Sequence, residues 1–146
     1  MSPEPVVLLV QPERDDRDMY AEFFGRQGWR AIAVSAAHDA LRLAPTADVI
    51  ITGILLPGPM DGVEFIAQLK ANERTKSIPV MVLTTCAWST ERERAANAGC
   101  DAFLTKPCLP ADLVGAVRRV LALHRVPKPQ SASKRPEEAS RSRRTS

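Results

Sequence analysis

Long apolar stretches are missing from this chain. Its longest uninterrupted hydrophobic runs are strand-sized, far short of the roughly 18 residues that a membrane helix needs, so no membrane association is expected. The N-terminus, Met1-Ser2-Pro3-Glu4-Pro5, has no basic segment ahead of an apolar one, which argues against a secretory signal. Cysteine is scarce: the three present are an odd number without metal-ligand spacing, which suggests free thiols in a reducing compartment. His38 and His124 lie far apart without ligand-like neighbours, so neither is assigned a site. No internal repeat is visible. These absences leave a soluble, cytoplasmic protein as the expectation.

What is present suits one domain and a tail. A chain of 146 residues that is 45% hydrophobic can bury a core. Residues 127–146 hold six basic side chains (Lys128, Lys134, Arg135, Arg141, Arg143, Arg144) against Glu137 and Glu138, a balance of +4. Out of a whole-chain charge of +3, that leaves −1 for residues 1–126, so the pI of about 9.0 belongs to the tail. The tail is Ser- and Pro-rich and has no apolar periodicity, so residues 127–146 are predicted to be disordered. It lacks aromatics for base stacking, and specific nucleic-acid binding is not expected.

Within residues 1–126, five short apolar runs alternate with amphipathic stretches, the pattern of an α/β domain with a parallel sheet. The runs are Val6–Val10, Ala31–Val34, Val49–Thr52, Val80–Thr84 and Ala102–Thr105; the first, third and fourth read as central strands covered on both faces. Helices are predicted over Asp15 to Gln27, burying Met19, Phe23 and Phe24, and over Ala36 to Leu43. A third starts at Asp61 with Glu64 as a capping box, burying Val63, Ile66, Ala67 and Leu69. Thr90 with Glu93 suggests the same device for a fourth, ended by Gly99. Pro110 opens a fifth, whose Leu113, Val114, Val117, Val120 and Leu121 recur at helical spacing.

The third run ends Val49-Ile50-Ile51-Thr52-Gly53 and is followed by Leu56-Pro57-Gly58 and Asp61-Gly62; the fifth ends in Lys106-Pro107. With this order of elements, residues from about Pro5 to Val126 resemble the receiver domain of bacterial two-component response regulators. The resemblance implies a flavodoxin-like (CheY-like) doubly wound five-stranded parallel sheet of order 2-1-3-4-5, with helices on both faces. It also implies an aspartate that takes a phosphoryl group where this chain has Gly53, and a Mg²⁺-binding acidic pair where it has Gln11 and Pro12. Neither Gly53 nor Pro12 offers a side-chain ligand, and Gln11 offers one neutral oxygen, so Mg²⁺ binding is not expected and no cofactor is implied. Glu13, Asp15, Asp16 and Asp61 stand near enough to be asked about as substitutes, yet the acids at 15 and 16 suit a helix N-terminus and Asp61 suits an N-cap. A phosphoryl group on Asp61 or Thr52 would require nucleophile and metal site both to be rebuilt. Pro59 adds one residue to the loop and is taken as a tolerated insertion.

The other half of the family's constellation is retained. Thr84 matches the hydroxyl residue that contacts the phosphoryl oxygen, Phe103 the aromatic switch position, and Lys106 with Pro107 the lysine that pairs with the acidic cluster. Without those acids, Lys106 is expected to be residual family sequence with a solvated head; turning to Glu13, Asp15 or Asp16, or holding an anion or partner, are the alternatives. Trp88, after the fourth strand, is an anchor candidate for a protein partner; Trp29 reads as packing. Cys86 and Cys108 follow neighbouring strands, where Lys106 could depress a thiol pKa.

The expected function is therefore a stand-alone, atypical receiver in two-component (phosphorelay) signalling. It is not an enzyme, and it acts as a phosphorylation-independent interaction module. Its partner would be a histidine kinase, another regulator or a second copy. The alternatives are a conventional phosphoaccepting regulator using a substitute residue, and a redox or small-ligand sensor using the vacated pocket.

Overall fold

The computed structural model describes residues 4–85 and 88–125. Five strands, β1 (Val6–Val10), β2 (Arg30–Val34), β3 (Val49–Thr52), β4 (Val80–Thr84) and β5 (Ala102–Thr105), pair in parallel in the order β2-β1-β3-β4-β5. The helices are α1 (Arg14–Arg26), α2 (Ala37–Leu43), α3 (Gly62–Ala71), α4 (Ser89–Ala98) and α5 (Pro110–Arg125), with a 3-10 turn over Ala44–Thr46. None of the described helices is long and apolar enough to cross a membrane. The 126/127 boundary, the tail and Cys86 lie outside the described residues.

Strand periodicity splits the core in two. Leu8, Val10, Ile50, Val80 and Val82 face α2, α3 and α4, meeting Ala40, Phe65, Ile66, Leu69 and Ala95. Val7, Leu9, Val49, Ile51, Met81 and Leu83 face α1 and α5, meeting Tyr20, Phe24, Leu113, Val114 and Val117. β1 is wholly apolar, and β3 and β4 are apolar apart from their final threonines, because both faces of these central strands are covered. β2 and β5, at the sheet's edges, are less deeply buried. Trp29 is packing, edge-on to Phe24 at 5.5 Å between ring centroids.

Several local expectations are corrected. In α1 the buried aromatic pair is Tyr20 and Phe24, while Met19 is 42% exposed, because the helix is rotated so that Tyr20 can hydrogen-bond across to the β5–α5 loop. In α3, Phe65 is buried and Ala67 exposed. No capping box forms at Thr90 and Glu93: α4 begins at Ser89 with Trp88 as N-cap, so Thr90 already lies inside the first turn, past the reach of that motif. The Asp61–Glu64 box is present in both directions, each bond 2.9 Å. Gly99 ends α4 with φ +110, a left-handed turn that favours glycine.

Candidate functional site

Strand register brings the residues in question to one edge. Val10 pairs with Thr52 and Thr84 with Thr105, so Gln11, Gly53 and Lys106, each the next residue of its chain segment, gather at the carboxyl ends of the strands. Ligands of open parallel sheets sit at this edge. A pocket of about 250 Å³ lies there, bordered by Gln11, Pro12, Glu13, Gly53, Thr84 and Lys106, with Thr85 and Leu55 at its rim.

Its inner wall is neutral. The Gln11 side chain is fully buried, and its Nε2 donates to the Leu83 carbonyl at 3.2 Å. That bond sets the amide's orientation, since the flipped form would oppose two oxygens. Oε1 is left without a hydrogen-bond partner. The Gln11 and Pro12 carbonyls both accept from Arg17 Nη1, at 2.8 and 2.9 Å, which ties the β1–α1 loop to α1. The signal for Arg17 in the sequence is its place near a helix N-terminus, where the macrodipole disfavours a cation and a compensating partner is called for.

Gly53 is held by its own N–H donating to the Val10 carbonyl at 2.9 Å. It is not among the glycines with positive φ. A Cβ built on it would meet Pro12 Cδ at 3.5 Å, Leu56 Cδ2 at 3.6 Å and the Leu83 carbonyl at 3.7 Å, all ordinary contacts. Neither backbone strain nor crowding requires glycine here. The side chain is absent without a structural reason.

Mg²⁺ wants several hard oxygen ligands in octahedral arrangement. The pocket supplies one neutral carboxamide oxygen sealed from solvent and the exposed Glu13. Asp16 is committed elsewhere, and Asp61 caps α3 and pairs with Arg94 at 3.3 Å. Thr52 is fully buried and donates to the Gly53 carbonyl at 2.9 Å. Among the described residues, no three His, Cys, Asp or Glu side chains converge as a metal site. The residues present do not fit the ion.

Lys106 is the largest departure from expectation. Its head is not solvated: Nζ donates to Asp16 Oδ2 at 2.6 Å, and the two side chains are 14% and 29% exposed. The lysine borders the pocket with its ammonium on Asp16 of α1. One turn on, Tyr20 Oη donates to the Cys108 carbonyl at 2.7 Å, so the β5–α5 loop is fastened to α1 twice. Burial, reinforced by Cys108 and Asp16, pushes the Tyr20 hydroxyl up to about 12. The unfolded chain ionises its tyrosine near 10, so the folded state holds the extra proton between those values. Stability should therefore be complete below pH 10 and fall as pH rises toward 12. Denaturant titrations at pH 9 and pH 11.5 check this, and Tyr20→Phe should flatten the slope.

The remaining positions fall around this edge. Trp88 is 75% exposed at the start of α4. Phe103 is half-buried on β5, with the Arg92 guanidinium 4.6 Å above its ring, a cation–π lid that sequence reasoning missed. Pro107 is exposed and follows Lys106 through a cis peptide. Cys108 is half-buried, and burial together with Asp112 pushes its thiol up, which gives no support to a thiol activated by Lys106. Thr84 closes β4 against the pocket.

Comparison with known proteins bears on the family and the fold. The family model described as response regulator receiver domain matches residues 7–118. The chain is 30% identical over 117 residues to the phosphate regulon transcriptional regulatory protein PhoB of Escherichia coli, covering 79% of this chain and 51% of that one. It thus spans about half the length of such a relative. Among solved structures, chemotaxis protein CheY4 of Vibrio cholerae superposes with a TM-score of 0.75 at 26% identity, over 80% of this chain and 98% of that one. The receiver domain of sensor histidine kinase PA1611 from Pseudomonas aeruginosa, solved with magnesium in its active-site cleft, gives 0.74 at 26% identity, over 82% and 98%.

Proposed function

The chain belongs to the response regulator receiver family of two-component signalling, and from that membership we propose that it is a receiver which works without being phosphorylated. One observation carries the reading. The three positions where the family resemblance implies carboxylates hold Gln11, Pro12 and Gly53, and Lys106, the cation that would answer them, is bound to Asp16. A phosphoryl transfer needs a nucleophile and charge neutralisation; this pocket has no carboxylate at the strand ends to attack or to hold Mg²⁺, and its one cation, Lys106, is shared with Asp16. The chain is then no enzyme and uses no Mg²⁺.

Output in such a module goes through protein contacts. The surface built from α4, β5 and α5, with Trp88 at its upper end and the Arg92–Phe103 stack on it, suits a histidine kinase, another regulator or a second copy in the cytoplasm. An exposed indole at the start of a helix is an economical anchor, being large and rigid.

The test is intact mass after incubation with Mg²⁺ and acetyl phosphate. The unaltered chain is expected to keep its mass. Gain of one phosphoryl group would overturn the proposal, and the modified peptide would name the acceptor.

A further inference from the structure

We propose that the pocket beside Gly53 binds a small organic monocarboxylate, its carboxylate on Lys106 and its apolar body in the adjoining cleft. The inference rests on the open position at 53, on Lys106 and on the adjoining cleft, whatever the protein partner is.

Four observations converge. Room begins at Gly53 itself, where even a Cβ would lie no closer than 3.5 Å to anything but its chain neighbours, and it continues into the 250 Å³ pocket. The pocket has one cation. Lys106 is 14% exposed and engages Asp16, but an ammonium has three donors, so a second carboxylate can share it. Next to this pocket lies a cleft of about 450 Å³ that shares Lys106 and Thr85 with it. That cleft is walled by Met19, Pro107, Leu109 and Pro110, and two of these, Met19 at 42% and Leu109 at 69%, expose large apolar surface. Apolar clefts with a few convergent polar groups are the usual form of small-molecule sites.

The surroundings also limit the ligand's charge to one. Asp16 and Glu13 are acidic, and the Gln11 Oε1 that borders the pocket is a buried acceptor without a partner. A dianion such as a phosphate monoester or dicarboxylate would set its second charge against these groups. A cation would find Asp16 already taken. A neutral acceptor would take only an uncharged hydrogen bond from Lys106, weaker than one to a carboxylate. A monocarboxylate with an aryl or short alkyl body satisfies the cation and covers the apolar wall.

Amide chemical-shift titrations of the full chain with acetate, butyrate, phenylacetate and phenylacetamide test this. Saturable shifts at Gly53 and Lys106 are expected, tightening from acetate to phenylacetate as apolar body is added. Phenylacetamide should bind roughly tenfold more weakly or worse, since it loses the charge-assisted bond. Asp16→Asn removes the competitor for Lys106 and should tighten phenylacetate several-fold, whereas Gly53→Asp, which puts a carboxylate in the same place, should abolish binding. Shifts that rise without saturation, that are equal for acid and amide, or that weaken in Asp16→Asn would each overturn the proposal. The acid–amide comparison uses the unaltered chain and so holds even if a variant folds poorly.

Discussion

Placing carboxylates at all three positions, as Gln11→Asp, Pro12→Asp and Gly53→Asp in one chain, is expected to yield a protein that gains a single phosphoryl group from acetyl phosphate with Mg²⁺, where the unaltered chain is expected to gain none. Gly53→Asp alone is expected to stay unmodified. The single variant places a nucleophile where its Cβ has ordinary contacts of 3.5 Å and longer, so it should fold. It still faces a fully buried, neutral Gln11 and a proline, and one carboxylate does not make a Mg²⁺ site. In the triple variant the acids can hold the ion together, and Lys106 has carboxylates besides Asp16 to pair with. Intact mass measured with and without a chelator reads the difference. Labelling of Gly53→Asp by itself would show that this frame needs no acidic pair. Labelling that fails in a folded triple variant would mean that the Lys106–Asp16 bond at 2.6 Å cannot be surrendered.

The second large effect is expected at Gly62→Ala. This residue opens α3, and its N–H donates to the Ile54 carbonyl at 2.7 Å. A Cβ there would fall 1.9 Å from the Gly53 carbonyl oxygen and 2.8 Å from Ile54 Cα. Both are backbone atoms, so no rotamer change relieves the collision, and α3 or the β3–α3 loop must move. A cost of about 3 kcal/mol or more is expected, at the upper end of overpacking changes. Gly53→Ala, nine residues earlier, is the control. Its φ is not in the left-handed region and a Cβ there meets only ordinary contacts, so it should be neutral or stabilise by up to about 1 kcal/mol through the unfolded state. Urea unfolding of the two alanine variants measures the contrast, and equal midpoints would refute the close approach.

These two glycines mark how far the sequence could be read. The strand runs were legible because apolar β-branched residues bounded by turn residues leave few alternatives, and β1, β3, β4 and β5 fall on the predicted residues. The Asp61–Glu64 box was legible because its partners are three residues apart. What escaped depends on distant neighbours. Gly62 looks like any glycine after an N-cap until the Gly53 carbonyl is set against it. Tyr20 and Met19 compete for one face of α1, and the choice is made by a carbonyl 88 residues away. Lys106 had three candidate acids, and only the fold singles out Asp16. The expected box at Thr90 failed for a nearer reason, since helix starts are set by backbone geometry that several adjacent residues can satisfy.

The double fastening of the β5–α5 loop to α1 also bears on synthesis of the chain. Asp16 and Lys106 are 90 residues apart, and Tyr20 meets its carbonyl partner across 88. At ribosomal rates of about 5–20 residues per second, α1 therefore waits roughly 5–20 s for the loop that clasps it. During that interval the apolar side of α1, with Tyr20 and Phe24, lacks the α5 surface that completes its packing. A message truncated before α5 would release a product with this face only partly covered, by the sheet and Trp29, a natural substrate for chaperones and proteases.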